Sequence, residues 1–335
     1  MEWDTFQTIA DKVFAFEQEV SVEFAGMGEP LLNPLVHRFI GYISNRAQTF
    51  LTTNASALTP PNTRRLIEAG LDRLTISFNG IDAESYGLMM GGLDFARAES
   101  ALRSAIQLSQ GQRMQVAANI SVAKPLRACL PGIRDYLTRA GVQTIFFSQC
   151  HNRGGKLNDP AICDTPMPPA WTRTRCDIFA STIFVAWNGD ILSSCHDLDG
   201  ANRIGNLITD ELGTVLSRRQ QIAEMGVDWA ICQRCNDMYR FMRASTPDSS
   251  PLSEWIYALY ASEDKRAQKL TERIRELTAQ IAAQEETINA QNAQIAEIYD
   301  SRGWRLLEFL RRVRLALAPK GSQRERFILG HAREG

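Results

Sequence analysis

Four cysteines near the middle of this chain have the residue type and spacing of a metal centre. Of seven cysteines in all, they are Cys176, Cys195, Cys232 and Cys235. Strand-forming residues at 183–187 and 190–192 flank Asn188-Gly189, a pattern that predicts a β-hairpin and would return Cys195 to Cys176. Four converging thiolates hold tetrahedral zinc or an iron–sulfur cluster, and spacing alone does not choose between the two. Buried thiols without a metal are the third interpretation.

The residues after Cys195 favour a ligand-rich loop over a buried core. Asp197, Asp199 and Arg203 follow it closely, and Gly205-Asn206 predicts a turn. His196 is adjacent to a candidate ligand, but we expect its side chain to face solvent. The sequence therefore predicts a polar, looped setting for the cysteines.

A second set of polar residues follows predicted strands in the first half of the chain. Helical and strand patterns alternate there, with strands at Val20–Phe24, Thr49–Thr53, Asp72–Phe78, Met114–Val122 and Gln143–Ser148. This alternation predicts an α/β fold with about five parallel strands, curled or open, and ligand sites at the carboxyl ends of the strands. Those ends carry Gly28, Glu29, Pro30, Thr53, Asn54, Ser77 and Asn119. Singly these are ordinary turn residues, but on one rim of a sheet they predict a binding face.

Both sets of residues resemble motifs of radical SAM enzymes. FAGMGEPLLNP at 24–34 is similar to the Gly-Gly-Glu-Pro loop of that family, with Met27 inserted, and LTTNA at 51–55 is similar to its Thr-Asn segment. LTISFNGIDAESY at 74–86 resembles the strand that follows. The order Cys, Asn-Gly-Asp, Cys-x-Asp, Ile-Gly-Asn-Leu and Cys-x-x-Cys over 176–235 resembles the SPASM or shorter twitch auxiliary-cluster domain.

The resemblance implies a partial (β/α) barrel that binds S-adenosylmethionine, and one auxiliary 4Fe-4S cluster, with zinc as the alternative metal. Glu29 would take the ammonium group of S-adenosylmethionine, in the loop that includes Gly28 and Pro30. The remaining implied residues of this cavity are Thr53, Asn54, Ser77 and Asn119. The implied cluster ligands are Cys176, Cys195, Cys232 and Cys235. In its complete form such an enzyme would use an S-adenosylmethionine-derived radical to modify a peptide or a sugar.

The most important departure from the family is a missing cysteine segment. No cysteine precedes Cys129, so the Cys-x3-Cys-x2-Cys segment that holds the family's catalytic cluster is missing. Either Met1 is a late start or the chain is a degenerate homologue. The alternative function is therefore a non-catalytic scaffold that binds a cluster or zinc and oligomerises through a coiled coil.

The last third of the chain has a different pattern. Apolar seam positions are Leu270, Ile274, Leu277, Ile281, Ile288, Ile295 and Ile298, with glutamine at 284 and 291. Isoleucine at a and leucine at d predict a coiled coil that forms a homodimer through residues 266–299, although a single surface helix is the alternative. The predicted domains are a partial barrel at 1–158, a cluster domain at 159–248, a coiled coil at 249–300 and a tail at 301–335.

The tail includes a basic amphipathic segment. Five arginines lie at 301–320 against Glu308, and Trp304, Leu307, Leu310 and Val313 recur on the other side. Such a helix suits peripheral contact with an anionic membrane or a partner.

Composition narrows the class of protein. The chain has 335 residues, 44% hydrophobic and 22% charged, and a formal net charge of −1, so no overall positive charge favours nucleic acid. The N-terminal residues are acidic and polar where a secretory signal would be basic and then apolar. Together with an odd number of cysteines, this predicts a cytoplasmic protein with metal ligands rather than disulfides, peripheral to the membrane if the tail binds lipid.

Overall fold

The structure is a computed structural model that describes residues 1–17, 19–26, 28–167, 176–241, 253–261, 280, 284, 287–295, 297 and 301–317. It divides into two compact units, Met1–Asp264 and Lys265–Gly335. The proposed seam residues Leu270, Ile274, Leu277, Ile281 and Ile298 lie outside the described residues.

The first unit contains a five-stranded parallel sheet, which confirms the predicted α/β half-barrel. Its strands are β1 Val20–Phe24, β2 Ala47–Thr53, β3 Arg73–Ser77, β4 Gln115–Val122 and β5 Thr144–Gln149, in that spatial order. The helices around it are α1 Trp3–Phe16, α2 Val36–Ile43, α3 Pro60–Glu68, α4 Ala83–Met89, α5 Phe95–Ser109 and α6 Leu130–Ala140. All four strand pairs are parallel, so the carboxyl ends of the strands share one edge.

Local sequence signals set where these helices begin and end. Thr59 accepts a hydrogen bond from the Asn62 backbone N–H, and Pro60 opens α3. Asp82 and Ser85 form a reciprocal capping box at the start of α4. Helix α6 ends at Gly141, whose φ of +91° is the left-handed conformation that glycine adopts without strain.

The main hydrophobic core lies between the sheet and its helices. Ala117, Ala118, Ile120 and Val122 of β4 are all buried, as expected for a strand covered on both faces. Residues 253–261 form a further helix, and its Ile256 and Tyr260 belong to the same core. The segment predicted as the start of the coiled-coil region therefore contributes to the barrel.

A small antiparallel sheet follows the barrel. It consists of β6 Phe184–Val185, β7 Asp190–Leu192 and β8 Arg203–Asn206, next to helices α7 Asp177–Ser181, α8 Leu212–Met225 and α9 Ala230–Gln233. The predicted hairpin is present, and Gly189 at its turn has a φ of +85°. The prediction of a turn at Gly205-Asn206 was wrong, because both residues lie in β8. A Cβ at Gly205 would lie 2.7 Å from Asp210 Oδ2, so glycine here allows the Asp210 carboxylate to approach the backbone of β8 closely.

In the second unit, the structure describes helical residues at 287–295 and a helix at Arg302–Leu317. Ile288 and Ile295 are about half exposed there, as are Leu307 and Leu310 of the second helix. Among the described helices, none combines the length and apolar character needed to cross a bilayer.

Candidate functional site

The carboxyl-terminal edge of the sheet brings three of the predicted cofactor-binding residues together. Glu29 follows β1, Thr53 is the last residue of β2, and Asn54 comes directly after it. Glu29 Oε1 accepts hydrogen bonds from the Thr53 hydroxyl at 2.8 Å and from the Leu31 backbone N–H at 3.1 Å. Glu29 Oε2 accepts from the Asn54 backbone N–H at 2.8 Å. The loop and the neighbouring strand end thus fix the orientation of one carboxylate.

This carboxylate retains room for a ligand. Its two oxygens offer about four lone-pair positions, and the described residues use three of them, two at Oε1 and one at Oε2. The remaining position at Oε2 suits a cationic donor. A primary ammonium group has the charge and the hydrogen atoms for that position.

The other predicted residues lie on the same edge without joining this network. Ser77 and Asn119 are direct register neighbours on β3 and β4. The Asn119 carbonyl accepts a hydrogen bond from the Phe78 backbone N–H at 3.0 Å. Gly28 and Pro30 flank Glu29, and Pro30 opens a short 3₁₀ turn. Neither Ser77 nor Asn119 has a described hydrogen bond to Glu29, so they remain predicted contacts of a ligand.

All four candidate metal ligands line one recess beside the small sheet. Cys176, Cys195, Cys232 and Cys235 border it together with the aromatic rings of Phe179 and Trp229. The four cysteines therefore border a single space that is partly open to solvent.

Different elements position these cysteines. Cys176 is the N-cap of α7, where its sulfur accepts a hydrogen bond from the Phe179 backbone N–H at 3.4 Å. Cys195 lies in the turn after β7, Cys232 in α9 and Cys235 just beyond that helix. The hairpin between Cys176 and Cys195 is what returns the chain to the recess, as predicted from the sequence.

Burial favours the protonated form of two of these sulfurs, those of Cys176 and Cys232. It raises the pKa of Cys232 to about 11, with a further contribution from the nearby Cys176 sulfur. Burial also raises the pKa of Cys176 above its usual value. A metal must therefore displace protons, and its affinity falls as the pH is lowered.

Two buried arginines add positive charge next to the recess. Arg240 is 1% exposed and donates from Nη1 to the carbonyl oxygens of Cys232 and Cys235, at 2.7 and 3.1 Å. Arg219 Nη2 donates to the carbonyl oxygens of Phe179 and Thr182. Its Nη1 is buried and has no partner among the described residues. Burial lowers the pKa of Arg219 to about 10, against an opposing effect of Cys176, so the group stays cationic at neutral pH.

His196 corrects an expectation from the sequence. It is 4% exposed, not solvent-facing, because its ring lies between the recess and Asp237. Its Nε2 lies 3.0 Å from Asp237 Oδ2, and its Nδ1 lies 3.7 Å from Cys195 Sγ. Burial acts to lower the pKa of His196, but hydrogen bonds to Asp237, Cys195 and Cys235 outweigh it and raise the pKa to about 12.

His151, at the end of the barrel's fifth strand, extends this group. Its Nε2 lies 3.9 Å from the same Asp237 oxygen, and its ring centroid is 4.5 Å from that of His196. Burial lowers the pKa of His151 to about 4, so its ring is neutral at neutral pH. Sequence reasoning missed Asp237 altogether; its position two residues after Cys235 is the signal that a search for supporting ligands would have used.

The loop after β5 joins the barrel to the C-x-x-C segment. Asn152 and Asn236 exchange hydrogen bonds, from the Asn152 backbone N–H to Asn236 Oδ1 at 2.6 Å and in reverse at 3.3 Å. Gly154 has a φ of +67°, and a Cβ there would overlap the Ile231 side chain of α9. The barrel edge and the cysteine recess are therefore held together by direct contacts.

Comparisons with known proteins give a match at the level of fold. No protein-family model matches the chain, and no curated protein does. Among solved structures, anSMEcpe with bound AdoMet matches with a TM-score of 0.53 and 13% identity, over 79% of this chain and 88% of that one. The same protein with AdoMet and the Kp18Cys peptide matches with a TM-score of 0.52 and 14% identity, over 79% and 89%.

A third structure agrees with these two. SuiB of Streptococcus suis, bound to precursor peptide SuiA, matches with a TM-score of 0.52 and 14% identity, over 71% of this chain and 63% of that one. These neighbours are radical SAM enzymes of the SPASM or twitch type. The chain therefore has the fold of the radical SAM superfamily.

Proposed function

We propose that this chain is a radical SAM protein of the SPASM or twitch type that binds S-adenosylmethionine and one auxiliary 4Fe-4S cluster. Cys176, Cys195, Cys232 and Cys235 would hold the cluster. Its complete form would catalyse radical modification of a peptide or a sugar. The sequence has no Cys-x3-Cys-x2-Cys segment, so the activity proposed for the chain as printed is limited to these two binding events.

The convergence of four cysteines on one recess carries the proposal. The donor set fits an iron–sulfur cluster, because thiolates are its usual protein ligands and all four cysteines border one recess. The buried Arg219 Nη1 is a second sign, since an unpartnered buried donor costs free energy unless an anionic group satisfies it. A bound cluster would supply electron transfer or a site for substrate coordination.

The Glu29 network supports S-adenosylmethionine as the cofactor. Its carboxylate is oriented by Thr53 and Asn54 and has one open acceptor position. In the bound cofactor, the amino group would take that position, with Ser77 and Asn119 nearer to the ribose or carboxylate. Two of the structures with the same fold contain AdoMet, which agrees with this assignment for the barrel edge.

A peptide is the substrate class that the comparisons favour. The anSMEcpe structure with Kp18Cys and the SuiB structure with SuiA both contain peptides. The proposal for this chain is accordingly a peptide segment bound at the barrel edge, with a sugar as the alternative that the sequence leaves open.

Metal analysis of the reconstituted full chain tests this function. After anaerobic incubation with iron, sulfide and equimolar zinc, we expect about four irons and four sulfides per chain and a broad brown absorbance. The chemical reason is that four cysteine thiolates are the usual ligand set of a 4Fe-4S cluster. Colourless protein with one zinc per chain would contradict the proposal and favour a zinc-binding scaffold.

The C-terminal segments support two further proposals, a homodimer through residues 266–299 and membrane contact through 301–320. Exposed Ile288 and Ile295 at seam positions support the first, and the exposed apolar residues of Arg302–Leu317 support the second. Analytical ultracentrifugation of the full chain should give twice the monomer mass, and anionic phosphatidylserine vesicles should sediment the protein. Monomeric protein would contradict the dimer, and protein left in the supernatant would contradict the membrane contact.

A further inference from the structure

The His196 ring lies between two hydrogen-bond acceptors, one facing each of its two ring nitrogens. Asp237, which is 4% exposed, faces Nε2 at 3.0 Å, and the Cys195 sulfur faces Nδ1 at 3.7 Å. A carboxylate accepts hydrogen bonds and cannot donate them, so Nε2 carries a proton. A metal-bound thiolate is likewise an acceptor, so the ring completes both hydrogen bonds only when Nδ1 also carries a proton.

Asp237 is itself held in place. Its other oxygen, Oδ1, accepts a hydrogen bond from the Tyr239 backbone N–H at 2.9 Å. His196 is anchored on its own side, where its backbone N–H donates to Ser194 Oγ at 3.1 Å. Hydrogen bonds within their own loops therefore hold the Asp237 carboxylate and the His196 backbone in place.

We propose that His196 is a positioning residue that donates a hydrogen bond to Cys195, one of the cluster's thiolate ligands, and thereby raises the reduction potential of the auxiliary cluster. The inference depends on the proposed function, because it needs a cluster in the recess. Reduction adds one electron to the cluster and increases the negative charge on its sulfur ligands. A donor aimed at those sulfurs stabilises the reduced form more than the oxidised form.

The chain offers a matched control for this histidine. His151 is a second histidine in the same group, with its ring 4.5 Å from His196 and its Nε2 3.9 Å from Asp237. No hydrogen bond from His151 to a cysteine sulfur is found among the described residues. Histidine to phenylalanine at position 196 therefore removes a hydrogen-bond donor to a cysteine sulfur. The same change at position 151 removes only a neighbour of Asp237.

The test is a mediated redox titration of the reconstituted full chain, followed by electron paramagnetic resonance of the reduced cluster. At a fixed potential, we expect His196→Phe to lower the ratio of reduced to oxidised cluster about tenfold, which is 59 mV for a one-electron couple. His196→Gln retains an N–H donor without the charge, so its ratio should fall between those of the wild type and His196→Phe. His151→Phe should change the ratio less than twofold.

Three outcomes would overturn the inference, and they are distinguishable. Wild-type protein that takes up no iron–sulfur cluster contradicts the proposed function and, with it, this role of His196. Wild-type protein that holds the cluster, with an unchanged ratio in both His196 variants, contradicts the inference alone. Loss of the cluster in both His196 variants, with iron counts near zero, would make His196 a ligand or a structural support instead of a tuning residue.

Discussion

Replacing Cys232 with serine is expected to abolish the iron–sulfur cluster of the reconstituted protein. Cys232 lies in α9 and is the first cysteine of the C-x-x-C segment, and the buried Arg240 donates hydrogen bonds to the backbone carbonyl oxygens of both its cysteines. A serine hydroxyl is a much poorer iron ligand than a thiolate, and no further cysteine lines the recess within the described residues. Iron should fall from about four per chain to less than about one, and the brown absorbance should disappear.

Cys129→Ser is the matched control. Cys129 is the last residue of the 3₁₀ turn before α6, and its half-buried side chain packs against the barrel core. Along the chain it is far from the small sheet. Both variants replace a side-chain sulfur with oxygen, so a general effect of losing a thiol would appear in both. Equal iron loss in Cys129→Ser, or full iron retention in Cys232→Ser, would show that the recess is not the cluster site.

Replacing Glu29 with glutamine is expected to weaken S-adenosylmethionine binding by about tenfold to a hundredfold. Hydrogen bonds to charged groups contribute about 1.5–3 kcal/mol, and the change removes the negative charge that would pair with the cofactor's ammonium group. Both carboxylate oxygens of Glu29 accept hydrogen bonds from Thr53, Leu31 or Asn54. The amide NH₂ of glutamine would replace one of these oxygens and would then face a hydrogen-bond donor instead of accepting from it. Anaerobic titration calorimetry measures the dissociation constant.

Glu23→Gln provides the comparison on the same sheet. Glu23 Oε1 accepts a hydrogen bond from the Thr52 hydroxyl at 2.8 Å. Thr52 and Thr53 are adjacent on β2, so their side chains point to opposite faces, and Glu23 belongs to the other face. Its replacement should leave the dissociation constant within about a factor of two. Circular dichroism at the temperature of measurement verifies that both variants are folded. Equal weakening in both, or in neither, would contradict the role of Glu29.

Much of the barrel could be predicted from local sequence. The five strand predictions overlap the observed strands, and their ends differ by only a few residues. Predicted Thr49–Thr53, for example, begins two residues earlier at Ala47, since pairing with β1 extends the strand. The helix after β4 also has an irregular start, a 3₁₀ turn over Lys124–Cys129 from which α6 continues at Leu130. Such ends depend on pairing and packing, which local propensity does not contain.

The site was predictable where spacing and residue type carry the chemistry. Asn188-Gly189 between strand-forming residues predicted the hairpin that returns Cys195 to Cys176, and both cysteines line the recess with Cys232 and Cys235. The Glu29 loop followed from its glycines, its carboxylate and Pro30. In each case the decisive residues are neighbours in the chain, so their pattern is visible without the fold.

Tertiary structure alone decided which groups surround these residues. His196 was expected to face solvent, yet it is buried against Asp237, a residue 41 positions away. Arg219, which bonds the Phe179 carbonyl 40 positions away, and the fully buried Arg240 gave no signal in the sequence. The sequence by itself determined the parallel half-barrel and the four thiols, because short-range patterns encode both. The charges that support those thiols depended on long-range packing, because a buried charge finds its partner only after the chain has folded.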